Sequence, residues 1–294
     1  MPGSPRNPIP APAPIRCGDR VLDFGRRVAL MGIVNVTPDS FSDGGRFFDR
    51  SRAIEQALAL AEAGADVIDI GGESTRPGSD PVPAAAELER VLPVIEAVAP
   101  YALTPISIDT TKAEVAEAAL AAGAALVNDV SACRFDPDMP PLLARTGVPV
   151  VIMHMRGRPK TMQRGPIHYQ DLLGEIRDLL QRATEDLVAA GVERSRVIWD
   201  PGIGFGKTAA HNLMILDRID ELAASGHAVL VGPSRKAFIG KLLGERPADR
   251  RIFGTAAAVT ACVLRGAHLV RVHDVAEMRD VVRVAQAIRD AGRN

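Results

Sequence analysis

Carboxylate and amide side chains recur at the ends of short apolar runs in this sequence, where they could bind a ligand. Asp109, Asn128 and Asp200 each close such a run. A carboxylate accepts two parallel N–H bonds, and an asparagine amide can both donate and accept. This set suits a flat nitrogen heterocycle with several N–H groups along one edge. Helix capping is the alternative use of Asp or Asn after a strand, but it accounts poorly for all the strand ends together.

A second set of side chains at the ends of these runs carries donors and positive charge. Lys236 follows one run, and Arg271 and His273 close another. Such groups bind anions such as phosphate or diphosphate. The formal net charge is only -1, so this local cluster, rather than a global field, would have to hold the anion. The two sets together predict a ligand with a donor-rich ring at one end and a polyanion at the other.

The apolar runs that position these residues number eight and alternate with helical stretches. The predicted strands are Val28–Val36, Asp66–Gly71, Ile106–Thr110, Leu126–Val130, Val148–Met155, Val197–Asp200, Ala228–Gly232 and Leu269–Val272. The predicted helices are Arg52–Ala63, Ala84–Val98, Lys112–Ala122, Asp136–Arg145, Asp171–Ala190, Ala209–Ala224, Ala248–Arg265 and Val275–Ala291. The runs lack polar alternation, as expected of parallel strands buried on both faces. Eight βα units favour a (β/α)8 TIM barrel over the alternative of an open doubly wound sheet.

The carboxyl ends of all the strands in such a barrel meet at one rim, where barrel enzymes have their active sites. We expect one α/β domain over residues 21–294, preceded by a flexible proline-rich tail over residues 1–20. Three widely spaced cysteines predict neither a disulfide framework nor a zinc site. The start has no apolar signal region and no apolar run is long enough to span a bilayer, so we expect a cytoplasmic protein. Aromatic residues make up 4%, which argues against a nucleic-acid stacking platform.

The glycine-rich segment 202–208 approximates a phosphate-binding P-loop, but Pro201 stands where that pattern needs glycine. We interpret the segment as a tight loop that presents Phe205 to a ligand, with a packing turn as the alternative.

Eight ordered segments, each at a predicted strand end, resemble the bacterial dihydropteroate synthases, and the likeness runs from about Leu30 to Ile288. The segments are MGIVNVTPDSFSDGG (31–45), DVIDIGGESTRPG (66–78), ISIDTTK (106–112), LVNDVSA (126–132), VIMHMRGRPKTMQ (151–163), DPGIGFGKT (200–208), GPSRKAFIG (232–240) and RVHDV (271–275). The resemblance implies the condensation of 6-hydroxymethyl-7,8-dihydropterin pyrophosphate with para-aminobenzoate. The products would be 7,8-dihydropteroate, a folate precursor, and pyrophosphate, with sulfonamides as competitors.

The resemblance also implies residue roles in the pterin and pyrophosphate sites. The three acceptor residues above would contact the pterin edge, and Met153 would pack on the ring. Lys236 would bond a pterin acceptor, while Arg271 would stack on the ring and reach phosphate. His273 would contact pyrophosphate. Asn35 would hold Mg²⁺, which takes its other ligands from water and phosphate oxygens.

Two glycine-containing loops would form mobile lids by the same resemblance, one with Asp39 and Phe41 and one over residues 74–77, with Ser74, Thr75, Arg76 and Pro77. They would build the para-aminobenzoate pocket together with Phe205 and Ser234. Asp39, Lys236, Arg271 and His273 would be the catalytic group. Pro233 departs from the small or apolar residue expected there. The resemblance further implies a homodimer formed by helices late in the chain.

Two other functions remain open on the residues alone. A corrinoid-dependent methyltransferase that uses methyltetrahydrofolate would share the barrel and the pterin-edge acids, but it needs the basic clamp less. An inactive pterin-binding paralogue should have lost lid or clamp residues, whereas Asp39, Arg76, Lys236 and Arg271 are all present. Because an arylamine is unprotonated at neutral pH, the synthase reaction needs no strong base, and we expect a nearly flat pH profile.

Overall fold

A closed barrel of parallel strands forms the centre of the molecule. The structure, a computed structural model, describes residues 11–37 and 45–291. Its strands are β1 (Ile15–Cys17), β2 (Arg20–Leu22), β3 (Ala29–Asn35), β4 (Val67–Gly71), β5 (Ile106–Asp109), β6 (Leu126–Asp129), β7 (Val150–Met153), β8 (Val197–Asp200), β9 (Ala228–Val231) and β10 (Leu269–Val272). The last eight close in the order β10-β3-β4-β5-β6-β7-β8-β9. Each lies within two residues of a predicted strand, so the predicted TIM barrel is confirmed.

The barrel closes because its last strand pairs with its first. Leu269 of β10 lies opposite Ala29 of β3 on one side and opposite Leu230 of β9 on the other. An open doubly wound sheet would leave two unpaired edges, so that alternative is excluded.

Helices connect the strands on the outside. They are α1 (Gly45–Glu62), α2 (Ala84–Val98), α3 (Ala113–Ala121), α4 (Met139–Thr146), α5 (Leu172–Ala189), α6 (Ala209–Asp217), α7 (Ile219–Ala223), α8 (Ala237–Leu242), α9 (Ile252–Leu264) and α10 (Val275–Ala291). The predicted helix Ala209–Ala224 is interrupted at Arg218, whose φ of -119° and ψ of 28° are not helical. The six residues of α8 were not predicted, because a segment so short carries little periodic signal.

Side chains of the barrel strands alternate between two environments. Outward residues such as Ile68 and Val127 pack against the helices, while Met31, Val67 and Leu126 pack together inside the amino-terminal half of the barrel. Because the side-chain period of a strand is two, the next inward position on β4 is Asp69. The interior therefore changes from apolar to charged about halfway along its axis.

A short antiparallel hairpin, β1 with β2, covers the amino-terminal end of the barrel. Ile15, Cys17, Leu22 and Phe24 are buried in the same cluster as the inward apolar residues. Residues 15–20, which the sequence analysis assigned to the flexible tail, are thus part of the folded domain. The physical reason is burial, since these side chains cover apolar surface that the barrel end would otherwise expose.

Candidate active site

Arg271, on β10, lies at the centre of an ion-pair network inside the carboxyl half of the barrel. Its Nε donates to Asp69 Oδ2 at 2.6 Å, and its Nη2 donates to Asp109 Oδ2 at 2.7 Å. Asn128, on β6, donates from Nδ2 to the same Asp69 oxygen at 3.0 Å. The register places Asp109 directly beside Asn128 on adjacent strands. Four side chains from four strands are therefore joined in one hydrogen-bonded network.

Asp109 has one carboxylate oxygen committed to Arg271 and one without a partner. Its Oδ1 is buried and accepts no hydrogen bond from the residues that the structure describes. Burial raises the pKa of Asp109 to about 7, although the charge of Arg271 acts in the opposite direction. A ligand N–H group placed at Oδ1 would satisfy this oxygen and favour the ionised form.

Asp200 and Lys236 form the next part of the site. Asp200 Oδ1 accepts from the backbone N–H of Gly202 at 2.7 Å, and burial raises the pKa of Asp200 to about 6. Burial, reinforced by the nearby charge of Arg271, lowers the pKa of Lys236 to about 8. The Nζ atom of Lys236 lies 4.3 Å from the ring centroid of Phe205, a cation–π contact. These residues offer an acceptor and a cation side by side.

His273 and Ser234 are joined across β10 and the segment after β9. Ser234 Oγ lies 2.9 Å from His273 Nδ1, and it accepts from the backbone N–H of His273 at 3.2 Å. Because a hydroxyl donates one hydrogen bond and accepts two, Ser234 either donates to Nδ1 or accepts from Nδ1–H, according to the imidazole tautomer. Burial lowers the pKa of His273 to about 3, so the ring is neutral and donates without carrying charge. Pro233 directly precedes Ser234 in the chain.

Two neighbouring cavities open on these residues. A small one of about 140 Å³ is lined by Asn35, Thr75, Arg76, Ser234 and His273, among others. A larger one of about 830 Å³ is lined by several residues of the segments after β7, β8 and β9. The two share four residues, which are Thr75, Arg76, Phe205 and Lys236. The loop with Thr75 and Arg76 therefore lines both spaces.

Met153 is buried in a small apolar cluster at the end of β7, beside the charged network. It packs with Val130, Met155 and Met162, and Phe205 packs against the cluster from a partly exposed position. The predicted loop containing Phe205 is thus next to the predicted ring-packing methionine. Asp39 and Phe41, which the sequence analysis placed in a lid, lie outside the described residues.

The buried pair Lys207 and His154 was given no role from the sequence. Lys207 Nζ lies 2.9 Å from His154 Nδ1, and it donates to the carbonyl oxygens of His154 and Phe205. Burial lowers the pKa of Lys207 to about 7 and that of His154 to about 2. These contacts tie the Phe205 loop to the end of β7. Their signal in the sequence is weak, because it requires pairing residues from two different loops.

Asp69 was also left without a role, although it lies within a predicted strand. It is fully buried and contacts both Arg271 and Asn128. Its signal in the sequence is a carboxylate inside an otherwise apolar run. Such a buried charge needs partners, so this position could have been predicted to belong to the site.

The rim therefore combines hydrogen-bond acceptors for a heterocycle with cations for an anion, on a closed parallel barrel. Residues 31–273 match the family model described as "Pterin binding enzyme". The chain is 46% identical over 277 residues to the dihydropteroate synthase of Synechocystis, covering 94% of this chain and 96% of that one. It is 42% identical to the Escherichia coli K12 dihydropteroate synthase, covering 90% and 93% of the two chains.

Solved structures give the same result. The chain superposes on a Xanthomonas albilineans dihydropteroate synthase with 4-aminobenzoic acid at a TM-score of 0.88 and 45% identity, covering 95% of this chain and 99% of the other. A structure of the synthase from the same organism in complex with 7,8-dihydropteroate gives a TM-score of 0.85 at 42% identity, covering 94% and 99%. The chain thus belongs to the dihydropteroate synthase family of pterin-binding enzymes.

Proposed function

We propose that this chain is a dihydropteroate synthase, which joins 6-hydroxymethyl-7,8-dihydropterin pyrophosphate to para-aminobenzoate and releases pyrophosphate. The observation that carries the proposal is the meeting of Asp109, Asn128 and Asp200 with Lys236 and Arg271 at one barrel mouth. The first three residues supply acceptors for a pterin edge. The last two supply donors and positive charge for the pterin acceptors and the diphosphate.

In the reaction, the amine lone pair of para-aminobenzoate forms a C–N bond to the exocyclic methylene carbon. The C–O bond to diphosphate breaks, and its electron pair leaves with the diphosphate. The resulting ammonium nitrogen then loses one proton to solvent or to the released diphosphate, which leaves the neutral secondary amine of dihydropteroate. Since the arylamine is already unprotonated at neutral pH, the protein must mainly hold the two rings in line and stabilise the departing anion.

The anion would lie against Arg271 and His273. Arg271 would bring a full charge and a planar set of donors, and the neutral His273 would bring an Nε2–H donor in the tautomer in which Ser234 donates to Nδ1. Met153 would pack on the pterin ring, and Lys236 would bond a pterin acceptor. Para-aminobenzoate would lie in the cavities shared by Thr75, Arg76 and Phe205, close to Ser234. We assign Asp39 to the same catalytic group on the resemblance alone.

A magnesium ion fits the donors around the small cavity. Asn35 supplies an amide oxygen there, with the hydroxyls of Thr37 and Ser74 on the same lining. The described residues contain no group of three or more His, Cys, Asp or Glu side chains that could hold a metal. This composition suits Mg²⁺, which keeps water ligands and binds phosphate oxygens, rather than a metal in an all-protein cage. When bound, the ion would neutralise charge on the leaving diphosphate.

The product assay tests the proposal directly. Purified chain with the pterin pyrophosphate, para-aminobenzoate and Mg²⁺ should form dihydropteroate, and sulfonamides should compete with para-aminobenzoate. Asp109→Ala should lower kcat/KM by several orders of magnitude, because it removes the acceptor and leaves Arg271 partly unpaired. Near-normal turnover in that variant would contradict the pterin assignment. Methyl transfer from methyltetrahydrofolate would instead support the corrinoid-dependent alternative, and ring binding without turnover would support the inactive paralogue.

We further propose that the chain forms a homodimer through the helices α6, α8 and α9. Leu213, Leu242 and Leu264 are exposed there and line an apolar groove of about 610 Å³. An exposed apolar groove of this kind is typical of a subunit interface. Sedimentation of the wild type should give a dimer, and Leu242→Glu should give a monomer.

No helix in the described ranges is long and apolar enough to cross a bilayer. A cytoplasmic location stays a prediction.

A further inference from the structure

Asp69 lies one inward position below the rim, in the middle of β4. Its side chain is fully buried, and its Cα pairs with Ile33 on one side and Ser107 on the other. The strand continues for two more residues, to Gly71, before it reaches the rim. Asp69 therefore contacts the groups that face the ring site from below.

One oxygen of Asp69 accepts two hydrogen bonds from residues of the site. Oδ2 receives Arg271 Nε at 2.6 Å and Asn128 Nδ2 at 3.0 Å. Because a carboxylate only accepts, the atom of Asn128 that faces Asp69 has to be the amide nitrogen. The amide oxygen of Asn128 therefore faces away from Asp69. A neutral apolar neighbour at position 69 would leave both orientations of the amide available.

Asp69 also fixes the position of the Arg271 guanidinium. Asp69 holds its Nε edge and Asp109 holds its Nη2 atom, so the planar group is bound at two different points. Charge-assisted bonds of this kind restrict geometry as well as adding energy. Asp109 alone would leave the guanidinium free to rotate about a single contact.

We propose that Asp69 is a positioning residue, which turns the amide oxygen of Asn128 toward the ring site and holds Arg271 across it. This inference rests on the proposed function, since it concerns the pterin site. With Asn128 Oδ1, Asp109 Oδ1 and Asp200 all accepting, the ring edge that binds there has to present donors. Asp69 thus sets the ring specificity without touching the ring itself.

Two Asp69 variants and one control test the proposal. Asp69→Ala removes the acceptor, and the KM for the pterin pyrophosphate should rise about tenfold to hundredfold, the usual effect of losing such buried bonds. The KM for para-aminobenzoate should change by less than about twofold, because neither hydrogen-bond partner of Asp69, Arg271 or Asn128, is assigned to the para-aminobenzoate pocket. Asp69→Asn keeps an amide oxygen that both donors can reach, so most of the pterin affinity should return. Ser107→Ala alters the adjacent inward position, whose hydroxyl has no partner among the described residues, and should leave both constants unchanged.

The double variant with Asn128→Ala distinguishes positioning from a general loss of stability. If Asp69 acts through Asn128, Asp69→Ala should raise the KM for the pterin pyrophosphate much less in the Asn128→Ala background than in the wild type. The two fold changes should differ by a factor of at least about five. The inference is overturned if the fold changes in KM of the two single variants multiply in the double variant. An equal rise in the KM values for the pterin pyrophosphate and para-aminobenzoate would also overturn it. If Asp69→Ala does not fold, an Asp69→Asn protein that melts normally but loses pterin affinity more than about tenfold overturns it too.

Calorimetric binding of 6-hydroxymethylpterin, which lacks the diphosphate, separates this inference from the proposed reaction. A wild type that binds this pterin but makes no dihydropteroate overturns the reaction alone, and the Asp69 variants still report on positioning. A wild type that binds no pterin overturns both.

Discussion

Ligand binding at Asp109 should depend on pH, although the reaction itself needs no base. The pKa of Asp109 is raised to about 7 because its carboxyl group is buried. The free protein therefore carries a protonated Asp109 through much of the weakly acidic range. A pterin edge presents N–H donors, and in the proposed site it would bind the ionised carboxylate, so acid should oppose binding. Such a dependence of binding on pH would modify the nearly flat profile expected from the sequence.

The size of the effect follows from the ionised fraction. With a pKa of about 7, Asp109 is about 76% ionised at pH 7.5, about 9% at pH 6 and about 1% at pH 5. The affinity for 6-hydroxymethylpterin should thus fall about eightfold from pH 7.5 to 6 through Asp109 alone. A pterin without the diphosphate is the appropriate probe, because no phosphate group titrates in this window. Lys236, with a pKa of about 8, is mostly protonated at pH 7.5 and more completely so at pH 6 and pH 5.

Proton release on binding gives an independent measurement. At pH 6, calorimetry in buffers of different ionisation enthalpy should show release of about 0.9 proton from Asp109 and about 0.5 from Asp200. Asp109→Asn should reduce the total to about 0.5, besides weakening binding. Asp129→Asn is the control variant, because Asp129 is also buried with a pKa of about 6 but neighbours the inward Asn128 and so faces outward. Proton release should persist in this variant and fall only slightly, since the charge of Asp129 is a minor cause of the raised pKa of Asp109. A pH-independent affinity without proton exchange would contradict the proposed contact between the pterin and ionised Asp109.

Three further predictions concern the surroundings of the network. Gly202→Ala should destabilise the fold by at least about 2 kcal/mol, because a Cβ would lie 2.0 Å from the His154 carbonyl oxygen at a φ of 72°; an unchanged thermal melting curve would contradict this. Lys207→Met should raise the KM for para-aminobenzoate about tenfold by releasing the Phe205 loop, and steady-state kinetics showing an equal rise for the pterin substrate would argue against it. Asn35→Ala should raise the KM for the pterin pyrophosphate about tenfold while calorimetric affinity for 6-hydroxymethylpterin stays within about twofold. An equal weakening of binding for the pterin pyrophosphate and for 6-hydroxymethylpterin would exclude a role of Asn35 in binding diphosphate or magnesium.

The barrel could be predicted because its strands are dense apolar runs separated by helical stretches. Both faces of each strand are buried at most positions, so the runs stand out from the surrounding sequence. The hairpin at Ile15–Leu22 could not be predicted in this way, since its strands have three residues each. Its formation depends on the apolar barrel end that it covers. Such a tertiary contact leaves no periodic signal in the segment itself.

The rim residues were predicted from their place at strand ends together with a family resemblance. Their hydrogen-bond partners were not, because partners come from strands far apart in the chain. Arg271 and Asp69 are separated by 202 positions and meet only because the barrel closes. The elevated pKa of Asp109 likewise depends on burial, which the sequence at that position does not encode.

The charged half of the barrel is less favourable to folding than the apolar half. Asp69 Oδ1, Ser107 Oγ and Asp109 Oδ1 are buried without hydrogen-bond partners in the described part of the chain, and each such atom costs stability. The apolar amino-terminal half, closed by the hairpin, offsets this cost at the opposite end of the same strands. A ring N–H group that donates to Asp109 Oδ1 would supply the hydrogen bond that this buried oxygen does not receive from the described residues of the free protein. Binding and stability are therefore linked, and pterin should raise the melting temperature more at pH 7.5 than at pH 6, where a protonated Asp109 has to lose its proton first.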